Sequence, residues 1–159
     1  MKKVTSVLAI AFSAILFSCS KDEPSTPETT NEAIMKVELS YTGNIDKFDE
    51  TLTLQVVANK ANALKIVESD LDKTNPTPDV VWFTKPLSSI TAKSSYTTSD
   101  KITTLTVAGV ITPKEVNDKG LEIINATIKI YSNSKLVETK NITAKSDKAY
   151  TFSYPVLAQ

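Results

Sequence analysis

Apolar and polar residues alternate along much of the chain with the period of two that is typical of β-strands buried on one face. The clearest alternating stretches are residues 35–41, 51–58, 121–131 and 150–154. The pattern is strongest at 121–131, and this stretch is therefore predicted to form a central strand. No segment of the body of the chain shows helical periodicity together with capping residues.

Weaker patterns predict further strands. They indicate a compact apolar strand ended by Pro86, a polar strand suited to a sheet edge, and a strand with a bulge near one end, at residues 80–83, 90–98 and 103–111. A shorter and less regular strand is predicted at 64–68. Turn-forming residues mark 117–120 and 132–134, and the polar stretch 69–79 is predicted to be the longest loop of the body.

About nine short strands with turns between them predict an all-β fold, namely a single antiparallel β-sandwich, immunoglobulin-like or similar. A small β-barrel is the alternative. The body is expected to be one domain at residues 33–159, because this length is close to the commonest size of a single domain.

The N-terminal residues have a different character. Lys2 and Lys3 precede an apolar run at residues 4–17, which is too short to span a bilayer comfortably and has the form of a signal peptide over residues 1–18. The run ends at Leu16, Phe17, Ser18 and Cys19, which resemble a bacterial lipobox. The resemblance implies that Cys19 carries a diacylglyceryl group on sulfur and a fatty acyl group such as palmitate on its amino group, as the first residue of a mature lipoprotein. An ordinary secretory signal with an incidental cysteine is the alternative.

Ser20, Lys21, Asp22 and Glu23 follow the cysteine. A lysine followed by two acids resembles the export signal of Bacteroidota-type surface lipoproteins, which implies a lipid-anchored protein on the outer membrane facing the cell exterior. The alternative is that these residues are the solvated start of a linker. Residues 19–32 are predicted to be a flexible tether, since nothing after the cysteine there is apolar. Extended, the tether would hold the body up to ~40 Å from the lipid.

Composition excludes several classes of function. All 18 basic residues are lysine, and the chain contains neither arginine nor histidine. Without arginine there is no bidentate grip on phosphate, so nucleic-acid binding is not expected. Without histidine, the common catalytic triads and the usual zinc sites are excluded. Cys19 is the only cysteine, so no disulfide forms within the chain. We therefore predict no enzymatic activity and no cofactor.

Asp70 and Asp72, followed by Thr74 and Asn75, place oxygen atoms at alternate positions of the predicted loop, as some calcium sites do. The glycine of a calcium loop is absent, and the twelfth position counted from Asp70 is Val81 rather than an acid. Asp70 and Asp72 are thus weak metal candidates, and a solvated loop without metal is favoured. A glycosidase role for this pair is not favoured either, because carboxylates in one loop do not flank a sugar bond from opposite sides.

Trp82 is the only tryptophan and is adjacent to Phe83, so on a strand one of the two side chains faces the core and the other the opposite surface. If Trp82 is the outward one, it would form a patch for sugar stacking or protein binding together with Tyr41, Tyr96 or Tyr131. Trp82, Tyr96 and Tyr131 are therefore the candidate ligand contacts.

These patterns together predict a surface-exposed outer-membrane lipoprotein that attaches to the membrane through its lipid and binds extracellular glycan or protein without catalysis. The alternative is a structural accessory subunit of an outer-membrane or envelope complex. The binding module would need an exposed aromatic or polar patch on one sheet face. The accessory subunit would need an extended apolar face or an open strand edge.

Overall fold

The computed structural model describes residues 31–67, 69 and 71–159. The predicted signal peptide, Cys19, the export residues 20–23 and the tether up to residue 30 lie outside the described residues, and so does Asp70. Within the part of the chain that is described, no helix is both long enough and apolar enough to cross a membrane.

The described residues form nine β-strands and two short 3₁₀ turns. The strands are β1 (Met35–Gly43), β2 (Phe48–Val57), β3 (Asp72–Thr77), β4 (Val80–Ser89), β5 (Lys93–Thr97), β6 (Thr104–Pro113), β7 (Ile123–Ser132), β8 (Lys135–Lys145) and β9 (Tyr150–Leu157), and the 3₁₀ turns are Ile45–Lys47 and Ala61–Ala63. They build a four-stranded sheet in the order β5-β1-β7-β8 and a five-stranded sheet in the order β3-β4-β2-β6-β9.

All strand pairs are antiparallel, and the two sheets enclose one hydrophobic core. The fold is the predicted β-sandwich, and among the described residues neither sheet closes into a barrel. Both sheets supply the core from their inward positions, because successive side chains of a strand point to opposite faces. Full burial of one aliphatic side chain contributes roughly 1.5–3 kcal/mol, so these positions dominate the stabilisation of the fold.

β7 is the central strand that the alternation predicted. It lies between β1 and β8, and Ile124, Ile128 and Ile130 on its inward face are fully buried. The two predicted turns around this strand are also confirmed. Asn133 and Ser134 have positive φ angles of 47° and 69° in the two-residue β7–β8 hairpin, as a type I′ turn requires. Gly120, at φ 56°, donates its N–H to the carbonyl oxygen of Asn117 at 2.7 Å.

The loop predicted at 69–79 is largely wrong, because Asp72–Thr77 forms β3 and pairs with β4. Every residue of β3 is exposed, so the strand is held by its backbone and carries no alternation that could be read from the sequence. Lys73 reinforces it, since its Nζ donates to the carbonyl oxygens of Asn62 and Leu64 at 2.6 and 2.8 Å. Conversely, the strand predicted at 64–68 is reduced to an isolated bridge between Ile66 and Thr98.

Bulges also lie elsewhere than predicted. β6 pairs with both neighbours without a shift in register, so the bulge expected within 103–111 is absent. A register shift instead occurs between β2 and β4 at Glu50/Leu52, opposite Pro86 and Leu87. β4 therefore continues beyond Pro86. The proline lies in the bulge, on a stretch of β4 that does not pair with β3, and a missing N–H is tolerated there. The edge strand predicted within 90–98 is confirmed as β5.

Candidate functional site

Outward-facing residues of β4, β2 and β6, as far as Thr51 on β2, form a surface that we call the uncharged face. It consists of Val80, Trp82 and Thr84 of β4, Thr51, Thr53, Gln55 and Val57 of β2, and Thr104, Thr106, Ala108 and Val110 of β6. None of these residues carries a charge, and all of them are half-buried. Threonine and valine dominate because β-branched side chains pack well on a pleated sheet, so the composition that favours these strands also defines the surface. Beyond Thr51 the outward Asp49 of β2 pairs with Lys114 at 3.6 Å.

Trp82 is the only large aromatic side chain of the uncharged face. It lies directly opposite Gln55 of β2 and Thr74 of β3, and Gln55 in turn lies opposite Thr106 of β6. Neighbouring strands are about 4.8 Å apart, so this row extends ~14 Å across four strands. The indole Nε1 of Trp82 is shielded from solvent. Hydrogen bonds to a ligand would therefore come from the amide of Gln55 and the threonine hydroxyls, which both donate and accept.

The outer face of the four-stranded sheet has the opposite character, because charged residues lie in its centre. Lys36 and Glu38 of β1 form an ion pair at 2.5 Å, and Tyr131 of β7 donates its hydroxyl to the other oxygen of Glu38 at 2.8 Å. The ammonium of Lys36 also lies 5.5 Å from the Tyr131 ring centroid. We call Lys36, Glu38 and Tyr131 the surface trio. Hydrogen bonds from Lys36 and then Tyr131 hold the pKa of Glu38 below its ordinary value.

The candidate ligand contacts do not come together. Trp82 and Tyr131 lie on the outer faces of different sheets, and Tyr96 and Tyr41 point into the core with 6% and 3% of their surface exposed. Tyr96 therefore does not lie on either outer face with Trp82 or Tyr131, and its predicted ligand contact has no support from its position. Most residues of β5 are polar, so no alternation in the sequence indicated that the side chain of Tyr96 points into the core. Phe83 is buried beneath Trp82, as the alternation of adjacent aromatic residues requires.

A buried ionic group was missed by the sequence analysis. Glu50 is only 3% exposed, accepts a hydrogen bond from the hydroxyl of Tyr41, and lies 3.2 Å from Nζ of Lys85. We call Tyr41, Glu50 and Lys85 the buried trio. It joins the sheets, because Tyr41 belongs to β1 and the other two to β2 and β4. Burial, followed by the charge of Glu50, raises the pKa of Tyr41 well above its ordinary value. A glutamate between the inward Phe48 and Leu52 of β2 was the signal that could have revealed it.

A polar cleft of about 560 Å³ lies at one end of the sandwich, between the Ile45–Lys47 turn, the β6–β7 loop and the β8–β9 turn. Its wall includes Asp46, Lys114, Glu122 and the buried Ser146. Ser146 donates to Glu122 at 2.7 Å, and this hydrogen bond is the main cause that lowers the pKa of Glu122. The cleft carries both signs of charge, so its electrostatics favour neither an anion nor a cation.

Of the two weak metal candidates, Asp72 lies among the described residues and Asp70 does not. Asp72 is an exposed residue of the edge strand β3, where it lies opposite Thr84 rather than in a loop that could wrap around an ion. Within residues 31–67, 69 and 71–159, no three acidic, histidine or cysteine side chains are close enough together to hold a metal ion.

The fold is a two-sheet sandwich that also occurs in solved proteins of Bacteroides and Parabacteroides. It is similar to a domain of unknown function of the DUF4425 family from Bacteroides vulgatus, with a TM-score of 0.55 and 17% identity over 80% of this chain and 98% of that one. A DUF4425 family protein from Bacteroides ovatus gives a TM-score of 0.53 and 15% identity over 79% and 95%. A protein from Parabacteroides distasonis, determined in a calcium-bound form, gives 0.51 and 17% over 86% and 99%.

At these identities the similarity shows the fold. No protein-family model matches the chain, and no curated protein matches it.

Proposed function

We propose that this protein is a lipid-anchored, non-enzymatic binding module on the outer face of the outer membrane, and that it binds extracellular glycan or protein through the uncharged face. The observation that carries the proposal is the uncharged face itself, a row of hydrogen-bonding side chains beside one aromatic residue, Trp82. It is the polar patch with an aromatic residue that such a module needs. The organisms of the structurally similar proteins support the resemblance of residues 20–23 to a Bacteroidota-type export signal.

The strand edges favour a binding module over an accessory subunit that assembles by strand addition. β3 contains Pro76 and β9 contains Pro155, and proline cannot donate to an added strand. On β8, Glu138 and Lys140 form an ion pair at 3.2 Å. Both residues are on the side of the strand that faces the sandwich interior, because they lie opposite Ile130 and Ile128 of β7. Inward charges of this kind prevent a further strand from docking. β5, the remaining edge, is only five residues long.

Membrane attachment is tested by labelling cells with a clickable fatty acid. Wild type should be labelled, whereas Cys19→Ala should be unlabelled and either unprocessed or released. Cys19 is the only residue to which the lipobox resemblance assigns a lipid, so equal label in both proteins would contradict the anchor.

Surface display is tested by adding protease to intact cells. Cleavage should occur within residues 20–32, because an extended backbone can enter a protease active site. Replacing Lys21, Asp22 and Glu23 together with alanine should keep the lipid and abolish cleavage. If wild type is cut only after the outer membrane is opened, the protein faces the periplasm, and the accessory-subunit function replaces the proposed one.

The two functions differ in how firmly a partner is held. A tagged, lipidated protein purified from detergent-solubilised outer membranes should emerge alone if it is a binding module. A partner that co-purifies in constant stoichiometry, and whose binding survives charge substitutions on the uncharged face, would favour the accessory subunit.

A further inference from the structure

We infer that the uncharged face binds an uncharged oligosaccharide lying across the strands, with one sugar ring against Trp82. The inference rests on the proposed function and narrows its ligand from glycan or protein to a neutral glycan.

Charge is the first argument. The uncharged face offers no cation to a sulfate, phosphate or uronic acid, and the absence of arginine from the whole chain removes the bidentate partner that acidic ligands use most effectively. Asp72 on β3 lies opposite Thr84 at the border of the face and would repel an anion, while the outward Asp49 of β2, beyond Thr51, is already paired with Lys114. The opposite outer face bears Lys36, Lys93 and Lys129, so lysine is available to the fold but is excluded from this surface.

Hydrogen-bonding chemistry is the second argument. Sugar hydroxyls donate and accept, and Gln55, Thr53 and Thr106 can do both in return. The C–H face of a sugar ring is apolar, and an aromatic ring is its natural complement because it adds contact area without demanding hydrogen bonds. A protein partner would instead be expected to find several aromatic, methionine or arginine anchors, and the face has only Trp82.

Shape is the third argument. The row Thr74, Trp82, Gln55, Thr106 and Pro155 crosses all five strands, and five strands at ~4.8 Å spacing extend about 19 Å. The next row runs parallel to it through Thr84 and Thr53. The two parallel rows present hydrogen-bonding side chains on either side of Trp82 along a line that a chain of sugar rings can follow across the strands.

The test is affinity electrophoresis of the full mature protein through gels that contain neutral polysaccharides (dextran, mannan and mixed-linkage β-glucan) or acidic ones (polygalacturonate and chondroitin sulfate). At least one neutral polymer should retard wild type, and neither acidic polymer should. Trp82→Ala and Gln55→Ala should each weaken the interaction about tenfold or more, as central contacts do. Thr106→Lys should weaken it similarly, whereas Thr127→Lys, an equivalent outward threonine on the other sheet, should leave it unchanged.

Because Trp82→Ala could also perturb folding, its melting temperature is compared with wild type, and Trp82→Phe serves as a folded variant that keeps an aromatic ring. Retention of binding in Trp82→Phe with loss in Gln55→Ala and Thr106→Lys supports the inference. The inference is overturned if only the acidic polymers retard wild type, or if no polymer does. It is also overturned if Thr106→Lys and Thr127→Lys are retarded equally.

A photo-crosslinking residue at position 55 on intact cells separates this failure from failure of the proposed function. A protein captured there, without retardation by any polysaccharide, would leave a surface binding module in place and overturn only the neutral-glycan ligand. If position 55 captures no protein and no polymer retards the chain, both are overturned.

Discussion

Tyrosine, glutamate and lysine form a linked group at two places in this molecule, once between the sheets and once on the outer face of the four-stranded sheet. In both places the tyrosine hydroxyl donates to one carboxylate oxygen and the lysine ammonium pairs with the other. The difference is solvent. Glu50 and Lys85 of the buried trio are 3% and 13% exposed, whereas Glu38 and Lys36 of the surface trio are 38% and 41% exposed.

The comparison teaches that the same contacts have different energetic consequences in different surroundings. At the surface, water replaces a lost partner, and an ion pair there contributes little to stability. Between the sheets, a charge that loses its partner cannot be resolvated, so removal of one partner is costly even where the intact pair stabilises little by itself. We therefore expect the buried trio to constrain how the sheets are placed, because Tyr41 on one sheet donates to a buried carboxylate of the other.

The largest effect is expected for Lys85→Met, which leaves the carboxylate of Glu50 buried without its cation. The free energy of unfolding should fall by about 3 kcal/mol, the low end for a broken buried pair, because Tyr41 still donates to Glu50. Urea denaturation of the purified protein measures it. The double variant Glu50→Gln/Lys85→Met should recover part of the loss, since a neutral amide can still accept from Tyr41. A decrease of less than about 1 kcal/mol in the free energy of unfolding of Lys85→Met would show that this pair contributes no more than an exposed surface pair.

A pH dependence is expected next in size, and it comes from Tyr41. In the unfolded chain this phenol ionises near pH 10, while burial keeps its pKa in the folded protein well above that value. Its contribution to stability is therefore complete below about pH 10 and is lost as the pH rises further, by up to ~1.4 kcal/mol per pH unit. Denaturation series from pH 8 to 11 should show a flatter decline for Tyr41→Phe than for wild type. Tyr131→Phe, the surface counterpart, is the control and should flatten the decline less, because the pKa of Tyr131 is raised chiefly by its hydrogen bond to the exposed Glu38.

Much of the fold could be predicted because its signals are local. β1, β2, β7 and β9 each bury one face, so alternation reveals both the strand and its inward residues. The two confirmed turns depend on asparagine, serine and glycine at positions that need positive φ. β3 could not be predicted, since a strand that is exposed on every residue is held only by backbone pairing to β4, a partner whose position the sequence does not state.

The site was less predictable, because it depends on which strands become neighbours. Trp82 was correctly singled out as one of an inward and outward pair, but its neighbours Gln55 and Thr106 come from strands about 25 residues away in either direction. The buried trio is similar, since Glu50 interrupts the apolar positions of β2 and gave a signal, while Lys85 meets it only because β4 becomes the neighbour of β2. Pairing and bulges are tertiary features, and no local pattern specifies them.

The surface trio should respond weakly to the change that breaks the buried one. Lys36→Met leaves Glu38 in contact with water and with the hydroxyl of Tyr131, so the midpoint of urea denaturation should move by only a small fraction of the shift in Lys85→Met. The small difference from wild type should disappear in high salt, because screening acts on exposed pairs. Equal shifts for Lys36→Met and Lys85→Met would contradict the distinction between the two trios.

The smallest effect is expected from metal removal. Neither trio contains more than one carboxylate, and within the described residues no three potential ligands are close enough together to hold an ion. Melting temperature in EDTA should therefore equal that in calcium or magnesium. The structurally similar protein from Parabacteroides distasonis was determined in a calcium-bound form, which makes the measurement informative. If calcium but not magnesium raises the melting temperature, Asp72→Asn and Glu122→Gln decide between the edge strand β3 and the polar end cleft, since only the variant at the true site would lose the response.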